Sequence, residues 1–348
     1  MASASNSLTI FRYPCSCGET SFLGRGDGFV HCRQCAATHR ATPSGIIDFF
    51  GKKTDQNAYF DALYEAGHLH KNDQLSSDSA RSYKSSYNGA QQYLTLCGID
   101  PTGPVTDLCI LDAACGSGWV TAGLMCNPMV QNCRFHAFDI SAQGLEMLAK
   151  FTETVESTNT VEMSVQDASQ MVFEDGTFDL VIGSSVLHHF DDVPSFLTKC
   201  RNILKPGGAA VFGEPFAIGY GLGVAALMVA QQQLGVQYDG INAVHTDITY
   251  RIKHPKQVQI LVDKHLFFQS SFLAMALQAG FSDVTFASPR PREYYREKFI
   301  SDLMTERGVS DPALLARGNE IYRTFFEVFD AENFGESVAA FIQVVLHA

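Results

Sequence analysis

The sequence predicts an α/β protein, a mostly parallel sheet covered by helices, with a small cysteine-rich module in front of it. Three observations point there. From residue 105 onward, short apolar runs ("DLCILDAA", "RFHAFDI", "VEMSVQD", "FDLVIGSS", "GAAVFGEP") alternate with helical stretches, as in strands joined by crossover helices. The first run ends in Asp112 and passes through "AACGSG" straight into "WVTAGLM". Strand, glycine turn and helix together offer backbone amides and a helix N-terminus to a ligand. Ahead of all this, Cys15, Cys17, Cys32 and Cys35 stand in two close pairs.

Bulk properties narrow the function. With 348 residues, 46% of them hydrophobic, the chain has ample core for one large or two smaller domains. A net charge of −12 repels polyanions on average, so nucleic acid binding would require a local basic patch. The nearest candidate, "PRPREYYREKF" at 289–299, also carries two glutamates. The opening "MASASNSLTIFRY" has no apolar stretch flanked by basic residues, so no secretion signal is read. Ten cysteines without such a signal suggest reduced thiols or a metal and a cytosolic (cytoplasmic) location. The apolar run "FAIGYGLGVAALMVA", 216–230, is broken by glycines and short for a membrane span, so a buried helix or lid is expected.

Residues 1–53 form the cysteine module. Two knuckles that bring thiolates together are what tetrahedral zinc requires, and a segment this small gains its fold from a metal rather than from a core. The first pair is Cys-x-Cys where Cys-x2-Cys is usual, which leaves His31 and His39 as substitute ligands. Residues 54–104 read as helical and polar, with tyrosines at 59, 64, 83, 87 and 93 that either pack or close over a ligand; Pro101 and Pro104 then break the chain. Residues 105–348 hold the sheet, with helical insertions at 216–268 and 289–335. "DVTFAS" and "AAFIQVVLHA" complete it.

In an open parallel sheet, ligands bind beyond the carboxyl ends of the strands. Asp112 ends the first strand. Asp139 ends the second, about twenty residues beyond the glycine turn, a spacing suited to ribose hydroxyls. Asp167, followed by Ala168, ends the third, where a carboxylate can accept from an adenine amino group. The fourth ends in "GSSVLHHFDD". Each aspartate alone reads equally well as a helix cap or turn residue. Four strand ends in register do not.

These pieces resemble a known family, the class I S-adenosylmethionine-dependent methyltransferases. "LDAACGSG", "FDIS", "QDAS", "FDLVIGSSVLHHF" and "LKPGGAAVFGEP" follow that family's order over about residues 105–285, plus the final strand. The resemblance implies a Rossmann-like seven-stranded sheet whose last strand is antiparallel, and S-adenosyl-L-methionine as cofactor, its methionine part over the glycine turn. It places Asp112, Ala114, Gly116, Gly118, Asp139, Ile140, Asp167, Ala168 and Ser184 at the cofactor. Ala114 stands where the family usually has glycine, and alanine fits if φ there is negative. The turn lacks the third glycine of Gly-x-Gly-x-x-Gly, which argues against a dinucleotide. The N-terminal "VHCRQCAATHRATPSGIIDFF" and "YFDALYEAGH" resemble the second knuckle and sequel of zinc ribbons that precede methyltransferase domains. Some proteins with such ribbons modify ribosomal RNA and others small molecules.

Methyl transfer is an in-line displacement on an activated sulfonium, so positioning dominates. A hydroxyl acceptor also needs a base, and histidine suits neutral pH. His188 and His189 follow the fourth strand, and His245 lies in the first insertion; His189 and His245 lead as catalytic candidates. The insertions are rich in Phe, Tyr and Leu, which suits an apolar or aromatic small molecule methylated at oxygen, or a homodimer interface. Two alternatives stand beside this. One is an RNA methyltransferase with the ribbon on RNA, opposed by the net charge and by a ribbon segment, 11–40, that adds only Arg12, Arg25, Arg33 and Arg40. The other is a non-catalytic cofactor-binding protein whose ribbon docks a partner.

Overall fold

The computed structural model describes residues 22–24, 28–50, 54–66, 89–171, 173–254, 262–288, 292–305, 309–331 and 339–348. The strands are β1 (Phe22–Gly24), β2 (Phe29–Cys32), β3 (Thr38–Ala41), β4 (Ile47–Asp48), β5 (Val105–Thr106), β6 (Cys109–Ala113), β7 (Val130–Gln131), β8 (Arg134–Asp139), β9 (Thr160–Val165), β10 (Phe178–Ser184), β11 (Leu204–Pro215), β12 (Asp283–Ala287) and β13 (Phe341–His347). The helices are α1 (Asp55–Glu65), α2 (89–96), α3 (Trp119–Met125), α4 (Ala142–Thr152), α5 (Val193–Ile203), α6 (Ala217–Leu234), α7 (Asp239–Lys253), α8 (Gln269–Gln278), α9 (Arg292–Glu297), α10 (Phe299–Thr305) and α11 (Pro312–Ala331).

Seven strands form the centre in the order β9-β8-β6-β10-β11-β13-β12. Those from β9 to β11 run parallel, and β13 is antiparallel to both of its neighbours. The expected antiparallel final strand is therefore found. Helices cover both faces, so the central strands are buried on both sides and read as continuous apolar runs. Successive residues face opposite cores. Leu111, Val181 and Phe212 join the core under α5 and α6, while Ile110, Leu180 and Val211 join the one under α2 and α3. Side-chain caps start the helices: Ser141 accepts from Gly144 N–H (3.2 Å) at α4, and Asp192 from Ser195 N–H (3.0 Å) at α5.

The sheet does not stop at seven strands. β4 pairs in parallel with β9 (Ile47 opposite Ser164, Asp48 opposite Val165), and β3, β2 and β1 follow antiparallel, making eleven. The physical reason is the edge. Without β4, β9 would present a row of unpaired backbone groups. Ser44 clasps the arrangement, its N–H and hydroxyl donating to the Glu146 carboxylate at 3.0 and 2.7 Å.

Cys32 is buried at the end of β2 and Cys35 is exposed in the following turn, which is closed by Cys32 N–H to Ala37 O (2.8 Å) and Ala36 N–H to Cys32 O (3.0 Å). Cys15 and Cys17 lie outside the described residues. In the two predicted insertions stand α6 and α7, then α9, α10 and α11; α11 packs along α6. Among the described residues no helix is long and apolar enough to cross a membrane.

Candidate active site

The carboxyl ends of β6, β8, β9 and β10 open on a cavity of about 750 Å³, roofed by α1 on one side and α7 on the other. Ala114, Cys115, Gly116 and Ser117 supply its glycine-turn wall. Gly116 has φ +57° and Gly118 φ +76°. A Cβ would collide with the Tyr64 hydroxyl at Gly116 and with Leu148 at Gly118. Glycine is needed at both. Ala114 does not have the negative φ that the sequence reading required. It lies at +50°, because the chain must turn left-handed there to bring Cys115 N–H onto Phe138 O (3.0 Å).

The predicted cofactor residues divide into two groups. Ala114, Gly116, Asp139, Ile140, Asp167, Ala168 and Ser184 line the cavity. Asp112 and Gly118 do not line it. The Asp112 carboxylate accepts from the Thr121 N–H (3.1 Å) and hydroxyl (2.6 Å), so it ties α3 to β6 beneath the turn. Asp139 accepts from Gly116 N–H and Ser141 N–H, both at 2.8 Å, and so fixes the turn to the end of β8. Burial pushes both carboxyls up to about 6. Asp167 accepts from Ser169 N–H (2.8 Å), capping the short turn that places Ala168 in the wall.

Two of the three predicted histidines come together. His188 Nδ1 lies 2.8 Å from Glu214 Oε2. Glu214 is completely buried at the end of β11 and also accepts from the N–H groups of Val186, Leu187 and His188 (3.0, 2.8 and 3.2 Å). His189 Nδ1 lies 3.0 Å from Val262 O and 3.3 Å from Asp263 Oδ1, with Phe60 edge-on to its ring. Burial, then the neighbouring His188, holds His189 down at about 4. His245 is elsewhere. Val244, Asp247, Ile248 and Arg251 share one face of α7 and line the cavity, being spaced as neighbours on a helix. His245 falls off that face and is exposed. The apolar repeat Ile241, Val244, Ile248 already carried that signal.

The sequence did not single out Glu214, behind the cavity wall, nor Gln56 and Phe60 in it. Glu214 is a lone carboxylate in the apolar run "AAVFGEP", which is itself a signal, since a buried acid needs partners. Helix α1 contributes Gln56, Tyr59, Phe60 and Tyr64 to the cavity. Asn57 Nδ2 donates to Ile140 O, and Gln56 Nε2 to His189 O (3.3 Å), so α1 touches both the end of β8 and the histidines. Of the other predicted tyrosines, Tyr93 is buried in the core beside Trp119, while Tyr83 and Tyr87 lie outside the described residues.

Residues 111–212, which hold the glycine turn and four strand ends, match the family described as a methyltransferase domain. The likeness is to a methyltransferase domain over that stretch of the chain. Among curated proteins, it is 31% identical over 114 residues to a ubiquinone biosynthesis O-methyltransferase of Chelativorans sp., covering 32% of this chain and 42% of that one. It is also 31% identical over 144 residues to an uncharacterized 37.1 kDa protein in transposon TN4556 of Streptomyces fradiae, covering 41% and 37%. The chain thus spans less than half the length of these relatives. Among solved structures, a chain of the complex between the Haloferax volcanii Trm112 methyltransferase activator and the putative methyltransferase aligns over 83% of this chain and 97% of its own. The identity is 16% and the TM-score 0.47. The glycine turn, Asp139 and Ser184 all fall inside the matched methyltransferase domain, whereas α1, α7 and the N-terminal strands lie outside it.

Proposed function

We propose that the protein transfers the methyl group of S-adenosylmethionine to a hydroxyl of a small molecule. The observation that carries this is the His188–Glu214 pair at the far end of the methyltransferase cavity. Glu214 accepts the proton on Nδ1 and so fixes the tautomer that leaves a lone pair on Nε2. In this reading Gly116 would lie under the cofactor, Asp139 would hold its ribose, and Asp167 and Ala168 would hold its adenine. Both Asp139 oxygens keep lone pairs for ribose hydroxyls beyond the two amides they already serve. S-adenosylmethionine would supply the methyl group on an activated sulfonium that leaves as a neutral thioether, and His188 Nε2 would take the proton that the acceptor hydroxyl gives up. The likeness to ubiquinone biosynthesis O-methyltransferases favours oxygen as the acceptor atom. His189, held neutral down to about pH 4, is a weaker proton acceptor than a base matched to pH 7.

The test is a metabolite screen with a labelled methyl donor, followed by turnover of His188→Gln with cofactor affinity measured in parallel. Loss of the base reduces turnover by about 10²–10⁴-fold and leaves binding intact. Near-normal turnover would remove the pair from the chemistry and favour an amine or thiolate acceptor.

The N-terminal strands, in the same reading, hold one structural zinc. Cys32 and Cys35 flank a tight turn, and Cys15 and Cys17 supply the other thiolates. His31 Nε2 is enclosed and meets no partner among the described residues, which suits it as a substitute ligand. Elemental analysis finding one zinc per chain supports this, and zinc retained in Cys15→Ser assigns the fourth position to a histidine. A homodimer through α11 is supported by its exposed Phe325, Val328 and Phe329, and sedimentation tests it.

A further inference from the structure

Arg251 is the feature of the cavity that the methyl-transfer chemistry leaves unused. Its side chain is only 9% exposed, and one Nη donates to Asp247, its neighbour a turn earlier on α7. Its Nε–H is buried and meets no acceptor among the described residues. An open donor on a buried guanidinium is unfavourable unless something fills it. Asp247 fills part of the fork at most and is itself 36% exposed. Val244 and Ile248 lie on the same face of α7, and Tyr220, Leu266 and Phe341 are further apolar residues of the cavity lining. Among the described lining residues, Arg251 is the one lysine or arginine. The carboxylates of Asp55, Asp191, Asp192 and Asp263 also line the cavity but are exposed, so solvent and salt screen their repulsion of an incoming anion, while those of Asp139 and Asp167 stand at the ends of β8 and β9, where they accept from backbone amides. A planar fork with one arm pinned and one open is arranged to take two oxygens of an oxyanion side by side.

We propose that the methyl acceptor carries an anionic group, a carboxylate or its equivalent, on an apolar body, and that Arg251 recognises it while Asp247 holds the guanidinium in place. This rests on reading the α7 end of the cavity as the acceptor site of a methyltransferase. Asp247 is then a positioning residue and also a competitor for the same charge. That makes the two residues separable, because removing Arg251 abolishes the anion site whereas neutralising Asp247 frees more of the fork for it.

The test uses a matched pair of fluorescent probes in the presence of saturating S-adenosylhomocysteine. They are 8-anilinonaphthalene-1-sulfonate and N-phenyl-1-naphthylamine, which share an apolar body and differ in the sulfonate. The parent protein binds the sulfonate about tenfold or more tightly than the neutral probe, as expected for hydrogen bonds to a charged group. Arg251→Gln erases that preference and leaves the neutral probe unchanged. Arg251→Lys, which keeps the charge without the fork, falls between. Asp247→Asn tightens sulfonate binding severalfold. The proposal is overturned if the parent shows no preference, if Arg251→Gln weakens both probes alike, or if Asp247→Asn weakens sulfonate binding as Arg251→Gln does. Should Arg251→Gln lose its cooperative melt, the sign of the Asp247→Asn effect decides alone. Calorimetry of S-adenosylhomocysteine runs alongside. A parent that binds none refutes the methyltransferase reading, and the probe preference still decides whether the cavity is an anion site.

Discussion

Ala114 holds a left-handed backbone conformation, φ +50°, that disfavours any residue with a Cβ by about 1–2 kcal/mol. Glycine removes that strain but gives the unfolded chain more freedom, an opposing effect of about 0.4–1 kcal/mol. Ala114→Gly should therefore stabilise the protein by about 0.5–1 kcal/mol, read from urea denaturation; destabilisation would mean the methyl packs usefully. Asp139 has the opposite character, a favourable contact set in an unfavourable medium. Burial raises its carboxyl to about 6, above the ordinary 3.8. Between about pH 4 and 6 the folded state keeps a proton that the unfolded chain has released, so stability falls as pH rises through that window. Asp139→Asn removes this ionisation, and with it a charge that helps raise Asp112. The stability difference should move against the parent from pH 4 to pH 7 by an amount on the order of 1–3 kcal/mol. A difference flat with pH would show that Asp139 is well solvated. Cofactor binding should move the other way, Asp139→Ala weakening S-adenosylmethionine by about 1–3 kcal/mol in calorimetry. Spacing after the glycine turn points to Asp139, which lines the cavity. It was not enough to place Asp112 beneath the turn, because that depends on Thr121, whose hydroxyl reaches back from the first turn of α3.

At the scale of elements, the strands and their order were legible because fully buried parallel strands have an unmistakable apolar signature, and β6, β8 and β10 bear it. Helix α7 was half legible. Its apolar repeat fixes which face turns inward, and His245 falls off that face although it lies in the insertion. Helix α1 was legible as a wall of the cavity only through Tyr59 and Tyr64, which read equally well as packing residues. It is mostly polar, and what holds it are single hydrogen bonds from Asn57 to Ile140 O and from Gln56 to His189 O, together with Ser141 Oγ to Asp61 (2.6 Å). Such contacts leave no period in a sequence. Since they tie α1 to the end of β8, where the proposed cofactor site lies, Asn57→Ala should leave Ile140 O unpaired and loosen the helix. We expect S-adenosylhomocysteine affinity to fall by about 1–2 kcal/mol, or roughly five- to thirtyfold. Unchanged affinity would mean that α1 docks without the bond and plays no part in holding the cofactor.

The sheet reaches beyond the stretch that matches a methyltransferase domain because the N-terminal strands extend it across the edge that β9 would otherwise leave open. A two-residue strand, Ile47–Asp48, has no alternation to read, so the continuation could not have been inferred from pattern alone. Its anchoring can be tested through one side chain. Burial pushes the Glu146 carboxyl up, but the hydrogen bonds from Thr42 and Ser44 together outweigh that and leave it below its ordinary range. A carboxyl lowered in the folded state stabilises above its unfolded pKa of 4.5, and that stabilisation is lost as pH falls through the lower, folded value. Glu146→Ala should therefore release the clasp at neutral pH, where the parent has it in full, and change little in acid, where the parent has lost it too. Hydrogen exchange gives the local measure. The Phe49 amide, which donates to Val165 O across the β4–β9 junction (3.0 Å), should lose protection worth about 1–3 kcal/mol in the variant at pH 7. Amides in β6 and β10, at the centre of the sheet, should keep theirs, since their ladders do not depend on the edge. If the centre loosens together with the edge, the eleven strands open as one cooperative unit. If neither changes, β4 is held by Ile46 in the core under α4 and the carboxylate clasp is dispensable.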